Sequence, residues 1–202
     1  MKPDDFDFIG NFSTTGAVFL GAILATMGGL AATQLEWYFE RKRRARHAAL
    51  FFGEVLSTLG VILKIAHDTY GRGDPFGPIT MRMLRSARSE IEIYERNRET
   101  LYELHDAAMR ARIHTLILRV NTPLEGVFDA TEEIRIAETQ LKSPDLPATH
   151  REELQARLES LLQNRATAYE FVMEMAGQIK PITTDLAPLA RQSFDGIDRA
   201  PF

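Results

Sequence analysis

The chain of 202 residues contains no cysteine. This absence excludes disulfide bonds, zinc sites built on cysteine and catalysis by a thiol. Basic residues are also fewer than acidic ones, since 24 Lys and Arg against 28 Asp and Glu give a formal net charge of −4. We therefore expect no general affinity for nucleic acid, because such binding depends on an excess of positive charge.

Motifs that mark catalytic or cofactor sites are missing as well. The carboxylate-bridged di-metal sites of helical proteins need Glu-x-x-His pairs, and one class of zinc protease needs His-Glu-x-x-His; neither pattern occurs. There is no phosphate-binding glycine loop, no dinucleotide fingerprint and no Gly-x-Ser-x-Gly elbow. The sequence predicts a protein that is not an enzyme, with no cofactor, no metal and no marked catalytic residue.

A long uncharged run stands near the start of the chain. No Asp, Glu, Lys or Arg occurs from Phe8 to Leu35, and about 20 apolar residues in a helix cross the hydrocarbon core of a bilayer. The best span covers residues 14–35. It follows an acidic start and precedes a basic juxtamembrane segment, residues 36–47. The sequence predicts that this span is a transmembrane helix.

The residues after the span are typical of a membrane boundary. Trp37 and Tyr38 have amphipathic rings, which favour the interface between lipid and water. A cluster of basic side chains follows them: Arg41, Lys42, Arg43, Arg44 and Arg46. Because cytoplasmic flanks hold the excess of Lys and Arg, we expect a short extracytoplasmic N-terminus, residues 1–13, and a cytoplasmic C-terminal part.

Other interpretations of these features stay open. A cleaved signal peptide has a basic start and a shorter apolar core, whereas here the start is acidic and the basic cluster follows the core. A buried core helix rarely lacks charge over such a length. The basic cluster also fits a patch for nucleic acid or anionic lipid, but its place beside the span favours a role in topology. Nineteen arginines against five lysines fit a bacterial source. We therefore expect the predicted transmembrane helix to lie in the bacterial inner membrane.

One face of the predicted span consists of small residues. They follow one another at a spacing of four, which places them on one side of a helix: Ala17, Gly21, Ala25, Gly29 and Thr33. In lipid, such a groove lets two helix backbones approach closely, although Gly and Ala are also common filler in membrane helices. We expect this face to pack against another transmembrane subunit or a second copy of the chain.

The remainder of the chain has helical patterning without strand alternation. No turn signal separates the predicted span from residues 48–66, which are apolar on most sides and predict the central helix of a bundle. A second membrane span is the alternative for this stretch, although Glu54 and Lys64 would be costly at depth. The predicted fold is all-α, with a single N-terminal transmembrane helix that continues into a cytoplasmic antiparallel bundle of four to five helices, residues 48–180.

Local signals predict where the helices after residue 66 begin and end. Glycines and prolines mark a loop over residues 70–78. Asp106 is placed to cap a helix after a break near residue 105, although one long bent helix is the alternative. Thr122, followed by Pro123 at the first helical position, predicts a further helix start.

A last pair of signals concerns the C-terminal part of the chain. Thr149 begins a capping-box pattern, which predicts the start of a helix with a coiled-coil-like spacing of apolar residues. Pro181 predicts the end of that helix. Residues 181–202 are then expected to form an extended or loosely docked C-terminal tail.

The sequence marks no family, so a function follows from the architecture alone. We expect a non-enzymatic, membrane-anchored protein, an accessory or scaffold subunit of a larger inner-membrane complex. Its expected partners are the lipid bilayer and other transmembrane helices, including its own. One alternative is a membrane-anchored bundle that senses a ligand or relays a signal, which requires a pocket or two packing states in the bundle. A cytoplasmic enzyme held at the membrane is the other alternative.

Overall fold

The structure, a computed structural model, describes residues 8–144 and 146–194, with side chains from residue 18 onward. This part of the chain forms five α-helices and one short 3-10 helix: α1 (Phe8–Tyr70), α2 (Pro78–Arg96), the 3-10 helix (Arg98–Glu103), α3 (Ala107–Leu141), α4 (Ala148–Ala176) and α5 (Ile179–Ala190). Two predicted regions lie partly outside the described residues. They are the N-terminus, residues 1–13, and the C-terminal tail, residues 181–202.

The protein is all-helical, with 88% helix and no strand in the part that the structure describes. This result confirms the predicted fold class and the long apolar N-terminal helix. α1 extends over 63 residues without interruption. It contains no proline, and residues 36–47, which join its two apolar stretches, are mostly Glu, Arg, Lys and Ala, all strong helix formers.

The chain divides into two compact units within α1, between Arg44 and Ala45. We call the described residues before this boundary the N-terminal segment, and residues 45–194 the helical domain. The N-terminal segment is a part of one helix only. The helical domain contains the rest of α1 together with α2, α3, α4 and α5.

The helical domain has one hydrophobic core, to which all five helices contribute. α1 supplies Ala48 and then residues that recur every three to four positions, each at most 1% exposed: Ala49, Phe52, Leu56, Leu59, Leu63 and Ala66. The charged residues of the same stretch, Glu54 and Lys64, are exposed. Residues 48–66 therefore have the two faces of an amphipathic core helix.

α3 and α4 pack against each other along most of their length, in opposite chain directions. The Arg151 side chain lies near the Leu141 carbonyl oxygen, at 3.4 Å, where the two helices are joined. Further along α4, a guanidinium nitrogen of Arg157 lies 2.9 Å from a carboxylate oxygen of Glu133. Later positions of α4 thus contact earlier positions of α3, so the two helices are antiparallel.

An aromatic cluster holds the loop between α1 and α2 against α4. The rings of Tyr70 and Tyr169 are stacked with centroids 4.2 Å apart, and Phe76 of the loop meets both rings edge-on. The guanidinium carbon of Arg165 lies 4.0 Å from the centre of the Phe76 ring, and burial lowers the pKa of this arginine. The predicted loop over residues 70–78 is confirmed, since α1 ends at Tyr70 and α2 begins at Pro78.

The start of α3 is as predicted, but its middle is not. The Asp106 carboxylate accepts hydrogen bonds from the backbone N–H groups of Ala108 and Met109, at 2.8 Å and 3.2 Å, which confirms the cap. The predicted helix start at Thr122 is wrong, because Pro123 lies inside α3. The neighbouring residues Val120 and Leu124 are fully buried, so core packing keeps the helix continuous despite the hydrogen bond that proline removes.

The C-terminal part also differs from the prediction. α4 begins at Ala148 without a side-chain cap and ends at Ala176. The expectation that Pro181 ends this helix and begins an extended tail is wrong for residues 179–190, which form α5 with Pro181 in its first turn. α5 folds because its apolar face is buried in the core: Ile179, Ile182, Leu186 and Ala190.

Candidate membrane-spanning surface

α1 is the one helix in the described part of the chain that is long and apolar enough to cross a membrane. Its N-terminal segment exposes large apolar side chains on all sides. Each is between 49% and 70% exposed: Val18, Phe19, Leu20, Ile23, Leu24, Met27, Leu30, Leu35, Trp37, Tyr38 and Phe39. Surfaces of this size are rare on soluble monomers and mark a contact with lipid or protein.

Hydropathy alone does not distinguish the two apolar stretches of α1. Its most apolar window of 18 residues has a mean hydropathy of 1.8 and is 44% buried. This fraction fits residues 48–65, of which eight are buried, and not residues 18–35, which are all exposed. Burial therefore separates a core stretch from a stretch whose whole circumference is apolar and open.

The predicted small-residue face lies within the open stretch. Gly21, Ala25, Gly29 and Thr33 are all exposed, and a Cβ atom added at Gly21 or Gly29 would meet nothing within 4 Å. The Thr33 hydroxyl donates to the Gly29 carbonyl oxygen at 2.9 Å, so it is satisfied within the helix, as an apolar setting requires. The side chain of Ala17 lies outside the described part, and the packing role of this face stays a prediction.

The predicted boundary residues follow the open stretch along α1. Trp37 and Tyr38 are exposed, and Nζ of Lys42 lies 6.0 Å from the centre of the Tyr38 ring, within reach of a cation–π contact. Arg44 forms an ion pair with Glu40 one turn earlier. A hydrogen bond from Arg44, together with its charge, holds the pKa of Glu40 below its usual value.

Arg46, the last basic residue of the predicted boundary, has a hydrogen bond to the end of another helix. Its Nε–H donates to the Ala190 carbonyl oxygen at 3.1 Å, within the helical domain. Ala190 is the last residue of α5, where unpaired carbonyl groups and the helix dipole favour a cation. The two residues are 144 positions apart, so no local pattern in the sequence could have revealed this contact.

Two buried tyrosines of the helical domain lie near histidine nitrogens. The Tyr94 hydroxyl is 3.0 Å from Nδ1 of His114, and the Tyr169 hydroxyl is 3.4 Å from Nδ1 of His67. Burial, with a smaller effect from Glu95, raises the pKa of Tyr94 to about 12. Burial also raises the pKa of Tyr169 to about 12. Sequence patterns single out neither pair, because each joins two separate helices.

A groove of about 300 Å³ lies between α3 and the α4–α5 junction. Its lining combines apolar residues such as Leu116 and Ile182 with polar groups of Arg112, Arg119 and Gln178. A guanidinium nitrogen of Arg112 lies 2.7 Å from a carboxylate oxygen of Asp185. The volume of the groove is at the lower limit of small-molecule sites.

Comparison of the chain with protein-family models, with curated proteins and with solved structures found no significant match. Two features of the chain itself bear on its function. One is the open apolar surface of the N-terminal segment, and the other is the packing and charge distribution of the residues that follow it.

Proposed function

We propose that the protein is anchored in the bacterial inner membrane by residues 14–35 of α1, and that its helical domain is a cytoplasmic antiparallel bundle. The observation that carries this proposal is the difference between the two apolar stretches of α1. Residues 48–66 bury one face and expose their charges, whereas residues 18–35 expose apolar side chains on every side. Lipid is a solvent in which such a helix is stable.

The distribution of charge supports the proposed orientation. Lys2 is the one basic residue before the span, whereas Arg41, Lys42, Arg43, Arg44 and Arg46 follow within a dozen residues of it. Basic residues close to a span stay on the cytoplasmic side. The helical domain then lies in the cytoplasm, and the acidic start of the chain lies on the other side.

The proposed role is that of a non-enzymatic accessory or scaffold subunit in a larger inner-membrane complex. A helix with one face of small residues allows close approach of a second helix. In this chain Gly21, Ala25 and Gly29 provide that face, and all three are exposed. The anchor would thereby also be the binding element, and the helical domain would project the complex into the cytoplasm.

Extraction from the native membrane tests this role. The protein would be solubilised in a mild detergent, and the mass and composition of the extracted particle would be measured. We expect a particle of fixed composition that contains other membrane proteins. A particle that contains only this chain, whether monomer or oligomer, would contradict the accessory role and leave the anchor in place.

A second candidate function is supported by the groove between α3 and the α4–α5 junction. If the helical domain is a ligand sensor, Arg119, together with Arg112 once it leaves its ion pair with Asp185, would bind a small anion in this groove. Inorganic phosphate and citrate at millimolar concentration should then raise the melting temperature of the full chain, and the double variant Arg112→Gln, Arg119→Gln should lose the effect. No shift with either anion would count against this candidate.

A further inference from the structure

We propose that Arg41, Lys42, Arg43 and Arg44 form a collar that binds anionic phospholipid headgroups around α1. This proposal rests on the proposed membrane anchor and adds the chemical class of lipid that the anchor selects. We use the name collar for these four residues only. All four are exposed in the structure.

The collar residues point in every direction around the helix. Successive residues of an α-helix are rotated by about 100°, so four consecutive residues cover the full circumference. The aromatic residues before them are consecutive too: Trp37, Tyr38 and Phe39 are all more than half exposed. The order along α1 is therefore an apolar stretch, then three aromatic rings, then a band of positive charge that surrounds the helix.

This distribution favours a bilayer over a protein or a nucleic acid as the partner. A protein groove or a nucleic-acid duplex contacts one side of a helix, and it selects charges spaced by three or four positions. A bilayer surrounds a helix that crosses it, so every side of the helix meets headgroups. Anionic lipids at the cytoplasmic surface attract clusters of Lys and Arg directly beside a span.

Two contacts define where the collar ends. Arg46 donates from Nε to the Ala190 carbonyl oxygen and so is attached to the helical domain. Arg44 forms an ion pair with Glu40, which offsets part of its positive charge. The variant that tests the collar therefore neutralises Arg41, Lys42 and Arg43 and leaves the ion pair between Arg44 and Glu40 in place.

The single tryptophan of the chain offers a direct test. Trp37 lies four residues before Arg41, about 6 Å along the helix axis, so its fluorescence reports on lipids next to the collar. The full chain would be reconstituted in vesicles that contain phosphatidylcholine and phosphatidylglycerol, with bromine on the acyl chains of one lipid or the other. The fluorescence of Trp37 is quenched by brominated chains beside it.

We expect brominated phosphatidylglycerol to quench more than brominated phosphatidylcholine at equal mole fraction. The expected enrichment is about fivefold, which corresponds to one basic residue near an anionic surface, and it should fall as salt is added. The variant Arg41→Gln, Lys42→Gln, Arg43→Gln should lose the enrichment. The matched variant Arg72→Gln, Arg82→Gln, Arg85→Gln, which removes the same charge from exposed positions beyond α1, should keep it.

The outcomes separate this proposal from the proposed anchor. Equal quenching by the two brominated lipids, unchanged by neutralising the collar, would overturn the collar and leave the anchor intact. Quenching by neither lipid would show that Trp37 is not at a bilayer, and both proposals would fail. Loss of enrichment in both triple variants would also overturn the collar, because net charge alone would then explain the preference.

Discussion

The ring of Phe194 lies directly on the backbone of Gly53. A Cβ atom at position 53 would be only 2.0 Å from Cζ of Phe194, far inside van der Waals contact. Phe194 is 5% exposed, and it follows the turn after α5, where Arg191 adopts a left-handed conformation with φ of 56°. The C-terminal end of the described chain is thus packed onto α1 at a position where only glycine leaves room for an aromatic ring.

Adding a methyl group at two glycines of α1 should have opposite effects on stability. Gly53→Ala should lower the free energy of unfolding, because overpacking costs about 1–3 kcal/mol and outweighs the gain of about 1 kcal/mol in helix propensity. Gly60→Ala should raise it by about 0.5–1 kcal/mol, since its Cβ would lie 3.4 Å from Cγ2 of Ile179, an ordinary contact. Unfolding of the full chain in mild detergent, followed by circular dichroism, measures both. Equal effects of the two substitutions would contradict the Phe194 contact.

A double-mutant cycle isolates the contact between Phe194 and Gly53. Phe194→Ala should lower the free energy of unfolding by about 3 kcal/mol, as expected for a buried aromatic ring. In that background Gly53→Ala should become stabilising, because the ring that it would meet is gone and only the gain in helix propensity remains. The change of sign is measurable as a coupling energy. If Gly53→Ala has the same effect in both backgrounds, the two residues do not touch.

The buried tyrosines predict a loss of stability at alkaline pH. The pKa values of Tyr94 and Tyr169 are both about 12 in the folded protein, above the value of about 10 in an unfolded chain. The unfolded state therefore loses these protons first, so the stabilisation is complete below pH 10 and is lost as the pH rises through 12. Each tyrosine contributes at most about 1.4 kcal/mol per pH unit in this window.

Tyrosinate absorbance checks this prediction, because the chain has five tyrosines. Two of them should titrate late, at the pH where helical circular dichroism falls. Tyr94→Phe and Tyr169→Phe should each remove one late step. Titration of all five near pH 10 in a protein that is still folded would show that neither hydroxyl is held in a buried setting.

The small-residue face predicts which substitutions disturb assembly in the membrane. Gly21→Leu with Gly29→Leu should weaken association, since two large side chains would separate the helices. Ala31→Leu with Gln34→Leu places two leucines on the opposite side of the helix and should leave association unchanged. Both pairs lie in exposed positions of α1, so neither should unfold the helical domain. The mass of the detergent-extracted particle measures the effect, and an unchanged mass for the first pair would remove the role of this face.

Local signals in the sequence predict helix boundaries only where no tertiary contact overrides them. Asp106 caps α3 as its residue type predicts, because the cap needs only the next two or three backbone N–H groups. Pro123 has the same pattern as a helix start, but proline at a first position and proline in an interior look alike in sequence. Burial of Val120 and Leu124 decides the case.

The candidate surface was predictable in part for a similar reason. The uncharged run and its basic flank are contiguous, so composition alone identifies the open stretch of α1. Mean hydropathy does not separate that stretch from residues 48–66, because both are apolar and of similar length. The charges of Glu54 and Lys64 favour a core helix for residues 48–66, and the structure shows that these residues share a core with α2 to α5. The attachment of Arg46 to Ala190 joins residues that are 144 positions apart, and no pattern of neighbouring residues encodes such a contact.

In the proposed topology, residues 14–35 of α1 cross the membrane and the helical domain lies in the cytoplasm. Because the chain has no cysteine, a single introduced cysteine is its one thiol. We would express Asp5→Cys and Thr149→Cys separately in bacterial cells, and treat intact and permeabilised cells with a membrane-impermeant maleimide. Thr149 is exposed in the structure. We expect Asp5→Cys to be labelled in intact cells and Thr149→Cys to be labelled only after permeabilisation. Labelling of Thr149→Cys in intact cells, or recovery of the protein in the soluble fraction, would contradict the proposed topology.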